Sequence, residues 1–244
     1  MHACRRGSGS GCRGKVVCVA VDGKLHHWTI EEREYARHEE RRGTRHAYAR
    51  LDPARTALVV IDMLPFYGES EYVRGIVPNI NAIALALRGR GGTVAWAIPE
   101  DPAPDEPLDP LAAEFYGPKI AALYRGTGGS GPPHERMLAD LDVDARDLVV
   151  PKRAFSAFLP GYCPLAEQLR ARGIDTVLIT GTVANVCCES SARDAGMTGF
   201  RVIMVADGNA AIRDQDLNAT LHTIYRSFGD VRPTAEITGL IDAG

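Results

Sequence analysis

Apolar residues recur along this chain in two rhythms. Short unbroken runs, ALVVI at 57–61, GTVAWAI at 92–98, LVV at 148–150, TVLIT at 176–180 and RVIMVA at 201–206, have strand length and are rich in β-branched residues. Between them apolar positions fall three and four apart. Val77, Ile80, Ile83, Ala84 and Leu87 share one helical face, and Leu217, Leu221, Ile224 and Phe228 share another, preceded by Asp214 and Asp216 as caps. Strands alternating with helices predict an α/β fold, a Rossmann-like three-layer αβα arrangement around a mainly parallel sheet. His222 lies on the last of these helices with no second histidine or carboxylate placed to make it a base or ligand, so it is read as structural or solvated.

The amino-terminal part breaks this rhythm. Residues 1–25 are rich in Gly, Ser and Arg and are expected to be a disordered extension; the apolar KVVCVAV run is short and lacks a small-residue cleavage site, which argues against a secretory signal. Residues 26–50 form a helical arm, in which Thr29 and Glu32 fit a capping box opening a charged helix over 29–43. Its polar faces predict a surface helix, anchored by Trp28, Ile30 and Tyr35 to the domain or to a second subunit. No linker divides residues 51–244, which are expected to form one domain.

Composition narrows the partners. The 244 residues carry a formal net charge of −3, without the basic stripe that nucleic-acid binding needs, and no apolar run approaches the roughly 20 residues of a membrane span. The six cysteines lack C-x-x-C spacing, so a reduced, cytoplasmic protein is expected.

Candidate chemistry concentrates in LITGTVANVCCESSARDA at 178–195, a buried strand, a glycine turn and a helix with cysteine near its start. Backbone N–H groups and the positive end of the helix dipole favour a thiolate there, which makes Cys187 a candidate nucleophile. A free thiol ionises at about 8.5, so it needs a partner. Asp62 closes ALVVID and Lys152 follows LVVP. Taken singly, a cysteine is a small core residue, an aspartate a cap and a lysine a surface charge. In a parallel sheet, however, the carboxyl ends of strands share one crevice, and three strand ends carrying suitable groups outweigh those readings.

GTVANVCCESSARDA, with VVIDM upstream and VPKRAFSAF between, resembles the isochorismatase-like cysteine hydrolases from about Leu51 to Leu240. The resemblance implies Cys187 as nucleophile, Asp62 as general base and acid, and Lys152 as the cation holding both. It also implies a cis Thr182–Val183 peptide that turns the Val183 N–H beside the Cys187 N–H as an oxyanion hole, and no organic cofactor. Cys188 is read as packing. Many relatives read DMQNDF where this chain has DMLPFY, and no His stands between Asp62 and His134 for the metal cluster of nicotinamidases, so no metal is expected there.

The loop PEDPAPDEPLDP at 99–110 holds five carboxylates without a Lys or Arg of its own, which suits a cationic substrate. With VPNINAIALAL, RGTGGSGP and NATLHTIYRSFGDV, that loop resembles the streptothricin hydrolase branch, whose substrates are polycationic lactams. Ureidoacrylate and other N-carbamoyl amidohydrolases share the cysteine motif. Phe66, Tyr67, Trp96, Phe155 and Phe158 are candidate pocket walls. The expected activity is C–N hydrolysis of a small amide by a homo-oligomer. The alternatives are a vinyl-ether hydrolase that needs no thiol and a silent assembly module working through the 29–43 helix.

Overall fold

The computed structural model describes residues 23–103 and 105–244, together with two short antiparallel strands, β1 (Ala3–Arg5) and β2 (Val17–Val19). The rest of the stretch before residue 23, expected to lack structure, lies outside the described residues. In chain order there follow α1 (Glu32–Arg42), β3 (Thr56–Ile61), α2 (Glu71–Gly89), β4 (Thr93–Pro99), α3 (Pro110–Tyr116) and α4 (Pro118–Arg125). Then come β5 (Leu148–Lys152), α5 (Leu165–Ala171), β6 (Thr176–Gly181), α6 (Glu189–Met197), β7 (Arg201–Asn209), α7 (Asp214–Ser227), β8 (Asp230–Arg232) and α8 (Thr234–Ala243).

From β3 onward the strands build one six-stranded parallel sheet in the order β5-β4-β3-β6-β7-β8. The alternation of side chains along a strand explains the three layers. On β3, Ala57, Val59 and Ile61 join a cluster with Leu165, Leu169, Ala192, Leu217 and Leu221 of α5, α6 and α7. Leu58 and Val60 face the other way, onto Ile76, Ile80, Ile83 and Leu87 of α2 and Ile237 of α8. Both faces are covered, and this is why the strand is apolar throughout. Helix α2 starts where the Ser70 hydroxyl accepts from the Val73 N–H, and all five of its predicted apolar positions are buried. Pro151 fits within β5 because that strand is the sheet edge.

The arm departs from its expected form. Helix α1 begins at Glu32, after Glu31, and the capping box does not form: the Thr29 hydroxyl turns to the Ile30 carbonyl instead. Nor is the helix wholly a surface element. Glu34 and His38 are buried, because Arg37 and Arg226 neutralise the carboxylate and the His38 ring packs edge-on to Tyr225. Arg213 occupies the cap position of α7, with Asp214 and Asp216 inside the first turn. Among the described residues no helix is long and apolar enough to cross a membrane.

Candidate active site

At the carboxyl end of β3 the backbone leaves the strand abruptly. Asp62 has φ of 49°, a left-handed conformation that Asp enters more readily than bulkier residues. It is held there from both sides: its N–H donates to the Ala97 carbonyl at 3.0 Å, and its own carbonyl accepts from the Thr182 hydroxyl at 2.6 Å. The neighbouring β6 ends on Gly181, with φ of 113°, where an added Cβ would lie 2.1 Å from the Ile61 carbonyl oxygen. Only glycine allows that approach. The following Thr182–Val183 peptide is cis.

Lys152 closes β5, two strands from β3, and its long side chain crosses the end of β4 to reach the same point. Its Nζ lies 2.9 Å from Asp62 Oδ2 and 3.8 Å from Cys187 Sγ, and donates to the Ala154 carbonyl at 3.1 Å. The Asp62 and Lys152 side chains are 6% and 4% exposed. Cys187 is buried in a π-helical turn, Ala184–Cys188, that runs into α6. Such turns are rare and recur at functional sites. Ser191, one helical turn on, donates its hydroxyl to the Cys187 carbonyl at 2.7 Å and accepts from the Ala157 N–H at 2.9 Å. This ties the cysteine turn to the segment after Lys152. Asp62, Lys152 and Cys187 thus meet in one buried cluster.

The electrostatics correct one expectation. The helix-start argument favoured a thiolate, but burial and the Asp62 carboxylate push the Cys187 thiol up to about 12, against the opposing pull of Lys152 and of the Val183 backbone. Burial and a negative neighbour both disfavour the thiolate there. Burial also raises Asp62, with Lys152 and the Cys187 contact working against it. Its Oδ1 is buried with no well-formed hydrogen bond, leaving an acceptor position on the carboxylate. Lys152 is raised despite its burial, because Asp62 and Cys187 face it, so it stays charged. Cys188 is fully buried, its thiol directed to the Thr180 carbonyl. Cys163, Cys187 and Cys188 are all unbridged.

The five aromatic candidates divide. Phe66 and Tyr67 pack edge to face on the short turn after Asp62, with Phe66 43% exposed. Burial and the charges of Asp62 and Cys187 raise the Tyr67 phenol, which marks it as a neighbour of the cluster. Phe155 is 53% exposed, three residues after Lys152. Trp96 and Phe158 do not line a pocket. Trp96 lies in register with Val60, in the α2 layer, and its indole N–H donates to Asp147 at 2.8 Å. Phe158 is in the opposite core, against the Phe200 ring.

The acidic loop is less free than its sequence reads. Glu100 pairs with Arg153 at 3.2 Å, Asp101 accepts from the Gly131 N–H, Asp109 caps α3, and Arg125 of α4 reaches the Ala103 carbonyl. The buried Arg136 holds the loop's start through the Pro99 carbonyl. Sequence reasoning missed Ser191 and the Ala210 backbone, which receives the Ala184 N–H and donates to the Gly181 carbonyl. The i,i+4 spacing of Cys187 and Ser191 was the available signal for the first; nothing local marked the second.

The sequence profile of the Isochorismatase domain matches residues 56–236. An uncharacterized isochorismatase family protein of Bacillus subtilis is 30% identical over 186 residues, covering 76% of this chain and 94% of its own. A ureidoacrylate amidohydrolase of Variovorax paradoxus is 29% identical over 206 residues, covering 73% and 78%. Among solved structures, a cysteine hydrolase from Pseudomonas syringae pv. phaseolicola superposes with a TM-score of 0.69 at 27% identity, covering 81% of this chain and 97% of that one.

Proposed function

The chain belongs to the isochorismatase family, and we propose that this member is a cysteine-dependent amidohydrolase that cleaves a C–N bond through a thioester. The observation that carries this reading is the buried contact of Lys152 with both Asp62 and Cys187.

As the Cys187 sulfur attacks the carbonyl carbon, its proton passes to Asp62, whose burial makes it a stronger base than a free carboxylate. Lys152 offsets the charge on the sulfur and then on the carboxylate. The oxyanion rests on the Val183 and Cys187 N–H groups. Collapse breaks the C–N bond, the Asp62 proton goes to the leaving nitrogen, and an acyl thioester remains on Cys187. Water then adds to the thioester, giving a proton to Asp62, and the departing sulfur recovers that proton as a thiol. Every step is an acyl or proton transfer, so the chain's own groups suffice.

The finer reading is a cationic amide, with the lactam of a streptothricin-type antibiotic first among candidates. Asp105 and Glu106 support it, as exposed loop carboxylates without a side-chain hydrogen bond or ion pair among the described residues, together with the exposed Phe66 and Phe155. A linear ureido acid is the alternative, supported by the likeness to a ureidoacrylate amidohydrolase. The test follows product mass for wild type and Cys187→Ser with streptothricin-type lactams, ureido acids and primary amides. The variant is expected to lose more than about a thousandfold in turnover, while wild type shows an acyl adduct on the Cys187 peptide. Full turnover in Cys187→Ala would overturn the mechanism and favour a vinyl-ether hydrolase.

A further inference from the structure

The arm ahead of the family domain is fastened to the body close to the candidate site. Residues 23–30 run across α2 and α7. The Lys24 N–H donates to the Glu71 carbonyl at 3.1 Å, and a Cβ on Gly75 would lie 2.0 Å from the Lys24 carbonyl oxygen, so the crossing depends on a glycine in α2. Asn218 clasps the arm from α7, donating to the His27 carbonyl and accepting from the Thr29 N–H. Ile30 enters the core. These contacts explain why the arm stays down. They do not explain the buried imidazole of His26.

His26 Nδ1 lies 2.6 Å from Asp214 Oδ1, and its ring stacks on Tyr72 with centroids 3.6 Å apart. Nε2 faces both main-chain groups of Ala211, the N–H at 3.0 Å and the carbonyl oxygen at 3.2 Å; in the neutral tautomer whose Nδ1–H donates to the Asp214 carboxylate, Nε2 accepts from the Ala211 N–H. The preceding residue, Ala210, donates to the Gly181 carbonyl at 2.9 Å and accepts from the Ala184 N–H at 2.8 Å. The Ala210–Ala211 step is therefore bonded to both ends of the turn that presents the Val183 amide, and to His26 on its other side. Without His26 the buried Ala211 N–H loses its acceptor, and a buried amide left unpaired shifts to find one.

Resting on the amidohydrolase reading, we propose that His26 is a positioning residue for the Gly181–Ala184 turn, acting through Ala211 and supplied by an arm that lies outside the family's matched domain. A phenylalanine keeps the stack on Tyr72 but removes the acceptor; a glutamine restores an acceptor at about the reach of Nε2. The test compares wild type, His26→Phe and His26→Gln by steady-state kinetics and by hydrogen exchange of the peptide spanning 180–186. In His26→Phe, kcat is expected to fall roughly tenfold or more with KM within about twofold, since a misplaced donor acts on the transition state. Exchange in that peptide rises, and His26→Gln returns both measurements toward wild type. Wild-type kcat and exchange in His26→Phe, or equal losses in both variants, would overturn the proposal. Should wild type hydrolyse no amide, the amidohydrolase reading fails on its own, while the exchange difference between the two variants still decides the role of His26.

Discussion

The two edges of the parallel sheet each join acid to base, and they treat the pair in opposite ways. At the amino edge Asp175, just before β6, meets Arg55 at 2.7 Å and Arg201 at 3.7 Å. Their backbones bond in step as well, Asp175 N–H to the Arg55 carbonyl and Arg201 N–H to the Asp175 carbonyl. The side chains remain wet, Arg55 56% and Asp175 30% exposed. Burial raises the Asp175 carboxyl, but the hydrogen bonds from Arg55 and Thr176 and the charges of Arg201 and Arg55 outweigh it and hold it below the usual range. At the carboxyl edge the Asp62–Lys152 pair is dry, Asp62 is raised instead, and the backbone abandons strand geometry at Asp62 and at the Thr182–Val183 bond. A wet pair trims strand ends. A dry pair, held where a thiol meets it, is what the proposed proton transfer requires.

The largest effect expected from breaking this comparison is at Lys152. In Lys152→Met the Asp62 carboxylate remains buried without its counter-ion, which should cost about 3 to 5 kcal/mol of stability at pH 8. The sign follows from linkage: the folded carboxyl then titrates above its unfolded value of about 3.9. The penalty is therefore absent below the unfolded pKa and grows as pH rises toward the folded one. Urea denaturation at pH 5 and pH 8 should show the variant nearer to wild type at pH 5. In Asp62→Asn/Lys152→Met both charges are gone, and stability should recover at pH 8. An equal loss at both pH values would mean that packing, not charge, was removed.

Legibility in the sequence follows the same divide. The five long strands and α2 declare themselves because each fills both core layers or one helical face with apolar residues. β8 does not, since Asp230 and Arg232 interrupt it; their burial depends on His46, 184 residues away from Asp230, and on the Tyr48 carbonyl. Helix α1 hides its inward face because Glu34 is satisfied by Arg226, from α7. At the site, residue types at strand ends pointed to Asp62, Lys152 and Cys187, but strand order decides that a lysine two strands away reaches the aspartate. Register does the rest. Trp96 is buried because it lies opposite Val60, and no local pattern on β4 states that pairing. The π-helical turn was equally invisible, and with it the burial that keeps Cys187 a thiol.

An intermediate effect separates the resting thiol from the reactive one. If the Asp62 charge helps to hold Cys187 up near 12, Asp62→Asn removes a negative neighbour and leaves Lys152 in place. The Cys187 pKa falls, and a fall of one unit gives about tenfold more thiolate near neutral pH. Iodoacetamide should then label Cys187 about tenfold faster at pH 7.5 in Asp62→Asn than in wild type, while amide turnover collapses for want of a proton carrier. Peptide mass mapping of the labelled site, with Cys187→Ser as blank, measures this directly. Labelling slower than wild type would mean that Asp62 activates the free thiol, and the assignment of the proton in the unliganded site would reverse.

The smallest expected effect lies at the amino edge. Arg55→Met removes two donors that converge on one Asp175 oxygen, yet Arg201 and the Thr176 hydroxyl remain beside the carboxylate, and water replaces what is lost. Exposed pairs contribute little, so for a chain of this size the melting temperature should move by no more than about 4 °C. Because Asp175 is held below its unfolded value, the pair's contribution is present above about pH 4 and vanishes as pH falls through the folded pKa. Wild type and Arg55→Met should therefore differ slightly in melting temperature at pH 7, approach each other as pH falls through the folded Asp175 pKa, and converge in high salt, which screens an exposed pair. A loss as large as that of Lys152→Met would erase the distinction between the two edges, because it would show that a solvent-facing pair bears on this fold as heavily as a buried one.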